Sequence, residues 1–395
     1  MRTRYFKVSG LLLSLSFLLG LLLFGMVVMK GIRPQHLNPL LRPTTLTPDS
    51  SRSAVLSDFR MTYHLSYQKF QAEFPFLQSY KCRMLADRKG LCQRTGARPL
   101  FLLAIKSQPS SFQRRAALRQ IWVTEWEVSG YLVRWVFLMA TSPKKPHMNL
   151  VEEEIKHHRD ILLWDFVESH HNLSLKERCF LEWLYHNCRE AQFIFKGDDD
   201  EFINPKALVR YVTETANASH AIHGSIQTNS ITMRYGKYQV SEPLFPYKLY
   251  PYFPSGGGFI MPRAAIPALY NASLWLPVFP LDDVYFGFLA LAANLTYHHD
   301  DRFYVTGLHY TRCRFRDALV VHDVSPESQL LIWQDLQQDF HCDSSVPGLL
   351  LLILFLLTIS LCAVLCCFGL RQDMSTKPGS IVRPAKALPS LGPAV

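Results

Sequence analysis

The chain has 395 residues, a hydrophobic fraction of 48% and a formal net charge of +10, which allows one large domain or two small ones. The basic excess does not point to nucleic acid. Residues 1–7 and 371–395 each supply +3 and both flank apolar runs, so more than half of it sets orientation at a membrane, and nothing resembles a nucleic-acid-binding module.

Residues 1–7, with Arg2, Arg4 and Lys7, read as a cytosolic tail. The uncharged run 8–29 is long enough to span a bilayer. It exceeds a signal-peptide core, and Met29-Lys30-Gly31 is not a small-x-small cleavage site, so a signal anchor is favoured over a cleaved leader. Residues 30–96 are assigned to a stem and connector, because Pro34, Pro39, Pro43 and Pro48 among Ser and Thr stiffen the first part. The catalytic domain is expected over 97–342.

From residue 97 onward strands alternate with helices. Strands are predicted over 100–105, 132–140, 160–166 and 193–195. Helices are predicted over 113–122, 175–187, from 205 onward and over 284–291. This alternation predicts an α/β fold with a mostly parallel, doubly wound sheet, whose ligands sit beyond the carboxyl ends of the strands. Residues 347–370 are read as a second transmembrane helix. The following tail, 371–395, is basic, which places both termini in the cytosol.

Nine cysteines divide into Cys362, Cys366 and Cys367, in or beside the second apolar run, and six others. Those six are Cys82, Cys92, Cys179, Cys188, Cys313 and Cys342. Their even number and the absence of a Cys-x-x-Cys spacing favour disulfides in an oxidising lumen over a zinc site. Acceptor sequons at Asn172, Asn217, Asn271 and Asn294 agree with that compartment.

The most informative feature is Lys196-Gly197-Asp198-Asp199-Asp200, directly after the apolar strand candidate. Three adjacent carboxylates repel one another, and a hard divalent cation with oxygen ligands relieves that repulsion. Around this run, Phe101-Leu-Leu-Ala-Ile-Lys-Ser107 with Arg114, Arg115 and Arg119-Gln-Ile-Trp122 forms one block. Asp160-Ile-Leu-Leu-Trp-Asp-Phe166 with Asn172-Leu-Ser-Leu-Lys-Glu177 forms a second. Tyr250-Pro-Tyr-Phe-Pro-Ser-Gly-Gly-Gly-Phe259 and Leu281-Asp-Asp-Val-Tyr-Phe-Gly287 complete the series. In order and content these blocks resemble the Golgi β-1,3-glycosyltransferase family, in its β-1,3-N-acetylglucosaminyltransferase branch. The chain departs from the family pattern at Val123, Glu168, His170 and Ser255, which bears on acceptor choice.

The resemblance implies a membrane-anchored glycosyltransferase of type A fold. It also implies inverting transfer of GlcNAc from UDP-GlcNAc to the 3-OH of a terminal galactose, with Mn²⁺ or Mg²⁺ as cofactor. The alternatives are a β-1,3-galactosyltransferase using UDP-galactose and a catalytically silent Golgi homologue. Asp200, Asp198 and His322 are implied as metal ligands. Asp283 is implied as the general base; neighbouring Asp282 either raises the pKa of the pair by like-charge repulsion or points elsewhere. Arg115, Arg119, Lys196, Asp198, Asp199, Gly257 and Gly258 are assigned to the donor. The arginines are assigned because their forks suit phosphate, and the glycines because bare backbone approaches a sugar closely. The expected setting is the Golgi membrane with the catalytic domain in the lumen, acting on galactose-terminated glycans. Homo- or hetero-oligomers with other glycosyltransferases are left open.

Overall fold

The structure is a computed structural model that describes residues 53–93, 96–122, 126–342 and 354–361. Two compact units divide at residue 339, and every element labelled below belongs to the first. In the second unit, 354–361 is helical with exposed apolar side chains. The apolar run 8–29 and most of 347–370 lie outside the described residues. Among the described residues no helix is long and apolar enough to cross a membrane.

The centre of the domain is a run of four parallel strands in the order β8 (Ala191–Asp198), β4 (Leu100–Lys106), β6 (Tyr131–Thr141), β7 (Ile161–Val167). Their side chains are largely buried on both faces, which is why each strand reads as a mainly apolar run rather than an alternating one. Along β4, Leu100, Leu102 and Ala104 point into one core, while Phe101, Leu103 and Ile105 point into the other. The first core is closed by α5 (Leu173–Asn187), α7 (Ile266–Ser273) and α8 (Asp282–Ala292). The second is closed by α3 (Phe112–Ile121), α4 (Lys145–His158) and α6 (Pro205–Glu214). Helices on both faces make this an α/β fold, as expected.

The sheet is mixed rather than mostly parallel, which corrects the sequence reading. Strand β11 (Phe253–Pro262) pairs antiparallel with both β8 and β10 (Ala221–Gln227), and β10 carries β12 (Thr296–His299) parallel on its far edge. At the opposite edge β3 (Met84–Ala86) runs antiparallel to β7, and β5 (Trp126–Val128) folds back on β6. The physical reason lies in the connections. A parallel neighbour needs a helical crossover, and the 228–252 excursion from β10 to β11 contains none.

A small second sheet orders β13 (Phe303–Tyr304), β14 (Val320–Val321) and β9 (Phe202–Ile203). The pairing Val321↔Phe202 sets residue 322 beside residue 201. Asn204 fixes this arrangement from both sides. Its carboxamide oxygen accepts from Ala207 N–H at 3.1 Å as the N-cap of α6, and its nitrogen donates to the Arg316 carbonyl at 3.2 Å.

Part of the assigned connector is folded into the domain. Residues 53–86 form β1 (Ser53–Ser57), β2 (Thr62–Ser66), α1 (Tyr67–Glu73), α2 (Pro75–Ser79) and β3, and bury Leu56, Tyr63, Leu65, Phe70 and Leu77 in the first core. Each large side chain there contributes roughly 1.5–3 kcal/mol. Disulfides Cys82–Cys179 and Cys92–Cys188 tie this part of the chain to the middle of α5 and to its C-cap. Cys313 and Cys342 are disulfide-bonded as well. A secreted fragment beginning at residue 97 is therefore expected to aggregate or be retained in the cell, whereas one beginning at residue 53 folds. Secretion yield and far-ultraviolet circular dichroism of the two fragments check this.

Candidate active site

Chain order along the parallel strands reverses between β4 and β8. From β4 the chain moves outward to β6 and β7, then returns through α5 to β8 on the other edge of β4. Ligand crevices in such sheets open at this switch point, beyond the carboxyl ends of the two strands. Here those ends carry Lys106-Ser107 and Asp198-Asp199-Asp200, and Lys106 stands opposite Asp198 in the ladder.

The Lys106 ammonium is buried and lies 3.1 Å from Asp198 Oδ1 and 3.1 Å from Asp282 Oδ2. Burial alone would favour the neutral amine. The charges of Asp198 and Asp282 outweigh it and raise the Lys106 pKa well above the ordinary lysine value. Asp282 opens α8, and burial works against its ionisation. Lys106 and then Lys196 nevertheless hold it down at about 2. Its neighbour Asp283 has no such partner. It accepts from Gly256 N–H at 2.9 Å, and its Oδ1 is buried without a hydrogen-bond partner. Burial, and then repulsion from Asp282, push it up to about 7. Two adjacent carboxyls of one residue type are thus driven to opposite protonation behaviour by their surroundings.

The acidic triplet divides its work. Asp199 is buried; it accepts from Ser107 Oγ at 2.6 Å and Arg114 Nη1 at 3.0 Å, and burial still raises its pKa. Asp200 accepts from Arg114 at 3.3 Å, and its Oδ1 stands 3.7 Å from His322 Nε2. Ligand atoms of Asp198, Glu201 and His322 come within 4.8 Å of one another. Asp200 Oδ1 and both Glu201 carboxylate oxygens are buried with no hydrogen-bond partner. Orphaned carboxylate oxygens beside an imidazole are a donor set that a divalent cation fits. The implied ligands Asp198, Asp200 and His322 do converge. Glu201 joins them and was missed, because in the sequence it reads only as the residue after the triplet. Burial, then the Asp198 charge, raise the Glu201 pKa well above the ordinary value.

Several donor assignments are corrected. Arg115 is 0% exposed, and its guanidinium is consumed by Glu154 at 2.7 and 2.8 Å and by Ser107 Oγ at 2.9 Å. Arg119 binds Glu154 at 2.7 Å and Asp160 at 2.8 and 2.9 Å. Both lie on the face of α3 that turns toward α4, so neither lines the cleft. Arg114, one residue away, does. Arg115 acts one hydrogen bond further back, since Ser107 accepts from it and donates to Asp199. Lys196 is buried and ion-paired with Glu177, with its ammonium 5.0 Å from the Phe259 ring centre. Burial, then the nearby Lys106 charge, bring its pKa down to about 8.

Gly257 and Gly258 serve packing. A Cβ at Gly257 would stand 3.0 Å from Val305, and one at Gly258 (φ +94°) would stand 2.8 Å from the Phe195 ring. At Gly256 a Cβ would meet Asp283 Oδ2 at 2.8 Å, so this glycine is what lets α8 bring Asp283 against the strand.

Two clefts meet here. The first, about 320 Å³, is lined by Lys106, Ser107, Arg114, Lys176, Lys237 and the acidic triplet, among others. The second, about 420 Å³, has largely apolar walls, Ile231, Met233, Tyr238 and Tyr250 among them, with Asp282 and Asp283 on its border. His170 lines both.

The sequence profile of the galactosyltransferase family matches residues 113–301. A human N-acetyllactosaminide β-1,3-N-acetylglucosaminyltransferase 3 is 35% identical over 279 residues, covering 67% of this chain and 75% of its own length. A human acetylgalactosaminyl-O-glycosyl-glycoprotein β-1,3-N-acetylglucosaminyltransferase is 32% identical over 289 residues, covering 68% and 75%. The chain belongs to the β-1,3-N-acetylglucosaminyltransferase family. A rat member, UDP-GlcNAc:βGal β-1,3-N-acetylglucosaminyltransferase 7, is 30% identical over 300 residues, covering 71% of this chain and 76% of that one. The family assignment makes the protein a UDP-sugar-dependent glycosyltransferase, and its α/β fold sets the acidic triplet at the end of a parallel strand.

Replacing Asp200 by Ala removes a carboxylate whose Oδ1 has no hydrogen-bond partner and whose Oδ2 holds only Arg114, and it removes no core group. The variant is expected to melt within a few degrees of the wild type in metal-free buffer, while the upward shift in melting temperature on adding Mn²⁺ is lost. Calorimetric scans with and without the ion check this; an intact shift would take Asp200 out of the ligand set.

Proposed function

We propose that the protein is a Golgi enzyme that transfers GlcNAc from UDP-GlcNAc to the 3-OH of a terminal galactose with inversion, forming a β-1,3 linkage. The donor and linkage follow the names of its relatives. The observation that carries the chemistry is Asp283: a buried carboxyl poised near pH 7, bordering the second cleft and one residue from the charge network that leads to the first.

In this reading the first cleft holds the UDP-sugar. Arg114 and Lys237 face the diphosphate, and Lys106 and Lys176 add positive charge to the same wall. The residues fit Mn²⁺ or Mg²⁺, held by Asp198, Asp200 and His322 with Glu201 adjacent; such an ion would offset the negative charge that builds on the diphosphate. The second cleft holds the galactose-terminated acceptor. Asp283 takes the proton from the 3-hydroxyl as its oxygen bonds to the anomeric carbon. The bond from that carbon to the diphosphate oxygen breaks on the opposite face, and its electron pair leaves with UDP. Gly256 N–H holds one Asp283 oxygen at 2.9 Å, which leaves Oδ1 free to accept.

A base works only when ionised, so activity must rise as pH climbs through the Asp283 pKa. The expected kcat/KM profile has an ascending limb near pH 7. Asp283→Asn is expected to lower transfer by about 10²–10⁴-fold, with affinity for UDP within about twofold of wild type. Transfer kinetics across pH with a galactoside acceptor, beside calorimetric UDP titration, check both. Transfer that survives within a few-fold would move the base elsewhere.

The Golgi setting is part of the proposal. It rests on the disulfide-bonded cysteines, on the flanking apolar runs, and on sequons Asn217, Asn271 and Asn294 at exposed positions. Asn172 differs: it is half-buried and donates its amide to the Val167 carbonyl at 2.8 Å. With 8–29 as signal anchor and 347–370 as a second span, both termini face the cytosol. Protease added to sealed Golgi vesicles is then expected to remove a C-terminal tag and spare the catalytic domain. Protection of the tag would contradict the second span.

A further inference from the structure

His170 is the residue shared by the two clefts, and the proposed chemistry leaves it without a role. It sits in the turn between β7 and α5, and that turn is fastened on both sides. Glu168 accepts from Ala140 N–H at 2.8 Å and from the Lys176 ammonium at 2.6 Å. Asn172 donates to the Val167 carbonyl, and its own N–H donates to Ser169 Oγ at 3.2 Å. The imidazole is therefore presented from a rigid base. Its ring meets the Tyr238 ring edge-on at 5.1 Å, and Tyr238, 52% exposed, belongs to the second cleft. Its Nε2 is buried and has no hydrogen-bond partner. A buried ring nitrogen left unsatisfied costs free energy unless a ligand completes it.

We propose that His170 is an acceptor-specificity residue: its Nε2 hydrogen-bonds a hydroxyl of the acceptor sugar, whose apolar face rests on Tyr238. The inference rests on the reading of the second cleft as the acceptor site. Three observations select the acceptor rather than the donor. Tyr238, the ring that holds the imidazole, lines only the acceptor side. The donor cleft already presents Arg114 and Lys237 to a diphosphate, with the carboxylate-paired Lys106 and Lys176 behind them. Burial, then the Lys237 charge, lower the His170 pKa and keep the ring neutral. A neutral imidazole suits a hydroxyl, which donates or accepts to match the tautomer, and adds little toward a diphosphate.

The test uses the full-length protein with UDP-GlcNAc, a β-galactoside acceptor and Mn²⁺, comparing wild type, His170→Phe and His170→Gln. Phe keeps the ring packing against Tyr238 and removes the nitrogen. Gln keeps a polar group and covers the case in which the Phe variant fails to fold. In His170→Phe the acceptor KM is expected to rise about tenfold, the size of one hydrogen bond, with UDP affinity within twofold and the kcat change smaller than the KM change. His170→Gln recovers most of the acceptor affinity. An unchanged acceptor KM in His170→Phe, or a Gln variant as impaired as Phe, overturns the inference while the transferase reading stands. A tenfold loss of UDP affinity with unchanged acceptor KM makes His170 a donor contact and also overturns it. Absence of any transfer by the wild-type protein overturns the functional reading and this inference with it.

Discussion

The position of one ammonium group organises this site. Lys106 ends a strand whose side chains are buried on both faces, and the parallel pairing of β4 with β8 sets it opposite Asp198. It is almost wholly buried at the base of the first cleft, so it needs paired carboxylates where it stands, and it draws in Asp198 and Asp282 at 3.1 Å each. Those two contacts join the end of the central sheet to the start of α8. They also settle which carboxyl of the Asp282-Asp283 pair ionises easily. Asp282 takes the cation and stays charged. Asp283 is left in a buried site next to that charge, and its pKa rises from the ordinary 3.8 to about 7. That displacement corresponds to roughly 4 kcal/mol disfavouring the ionised form. It is the size of one unit-charge contact at about 4 Å in protein surroundings.

The backbone around this charge network is built to admit it. Strand β11 carries three consecutive glycines where it passes between Phe195, Val305 and Asp283, and a side chain at any of them meets one of these groups. Bringing α8 this close supplies the Gly256 N–H that orients Asp283. On the other side, the three-stranded sheet β13-β14-β9 and the Asn204 cap hold His322 near the acidic triplet, although 122 positions of sequence separate His322 from Asp200. The Val324 N–H donates to the Asp200 carbonyl at 2.8 Å and closes that frame. Base and candidate cation ligands are thus positioned by different secondary elements, linked through Lys106 and Asp198.

Much of the frame was legible in the sequence for a physical reason. Strands β4, β6, β7 and β8 are largely buried on both faces, so each shows as a mainly apolar run, and the triplet begins at the end of one of them. Helix α6 was legible from Pro205, a first-turn proline. Strand β11 was not, because glycines and prolines favour a loop until the neighbouring Phe195 and Asp283 are known. Helix α4 was missed because Val151 is its one fully buried residue, which leaves no apolar stripe to read. Residues Arg115 and Arg119 stand four apart in α3 and share one helix face. Nothing in the sequence says which face meets the cleft, and theirs meets Glu154 and Asp160. Lys106 and Glu201 were silent in the same way. A lysine at a strand end and a glutamate after three aspartates both read as solvated until a distant partner buries them.

The central claim is that Asp283 and Asp282, adjacent in sequence, are held in different protonation behaviour by Lys106. Difference infrared spectroscopy of wild-type protein against Asp283→Asn, titrated from acid to alkaline pH, follows the protonated carboxyl of Asp283 directly and does not depend on donor, acceptor or metal. The account predicts a protonated-carboxyl band that is absent from the variant and is lost with a midpoint near 7, while Asp282 stays ionised across that range. An Asp283 carboxyl already fully ionised at pH 5, or a titration near 7 that persists unchanged in Asp283→Asn, would contradict it.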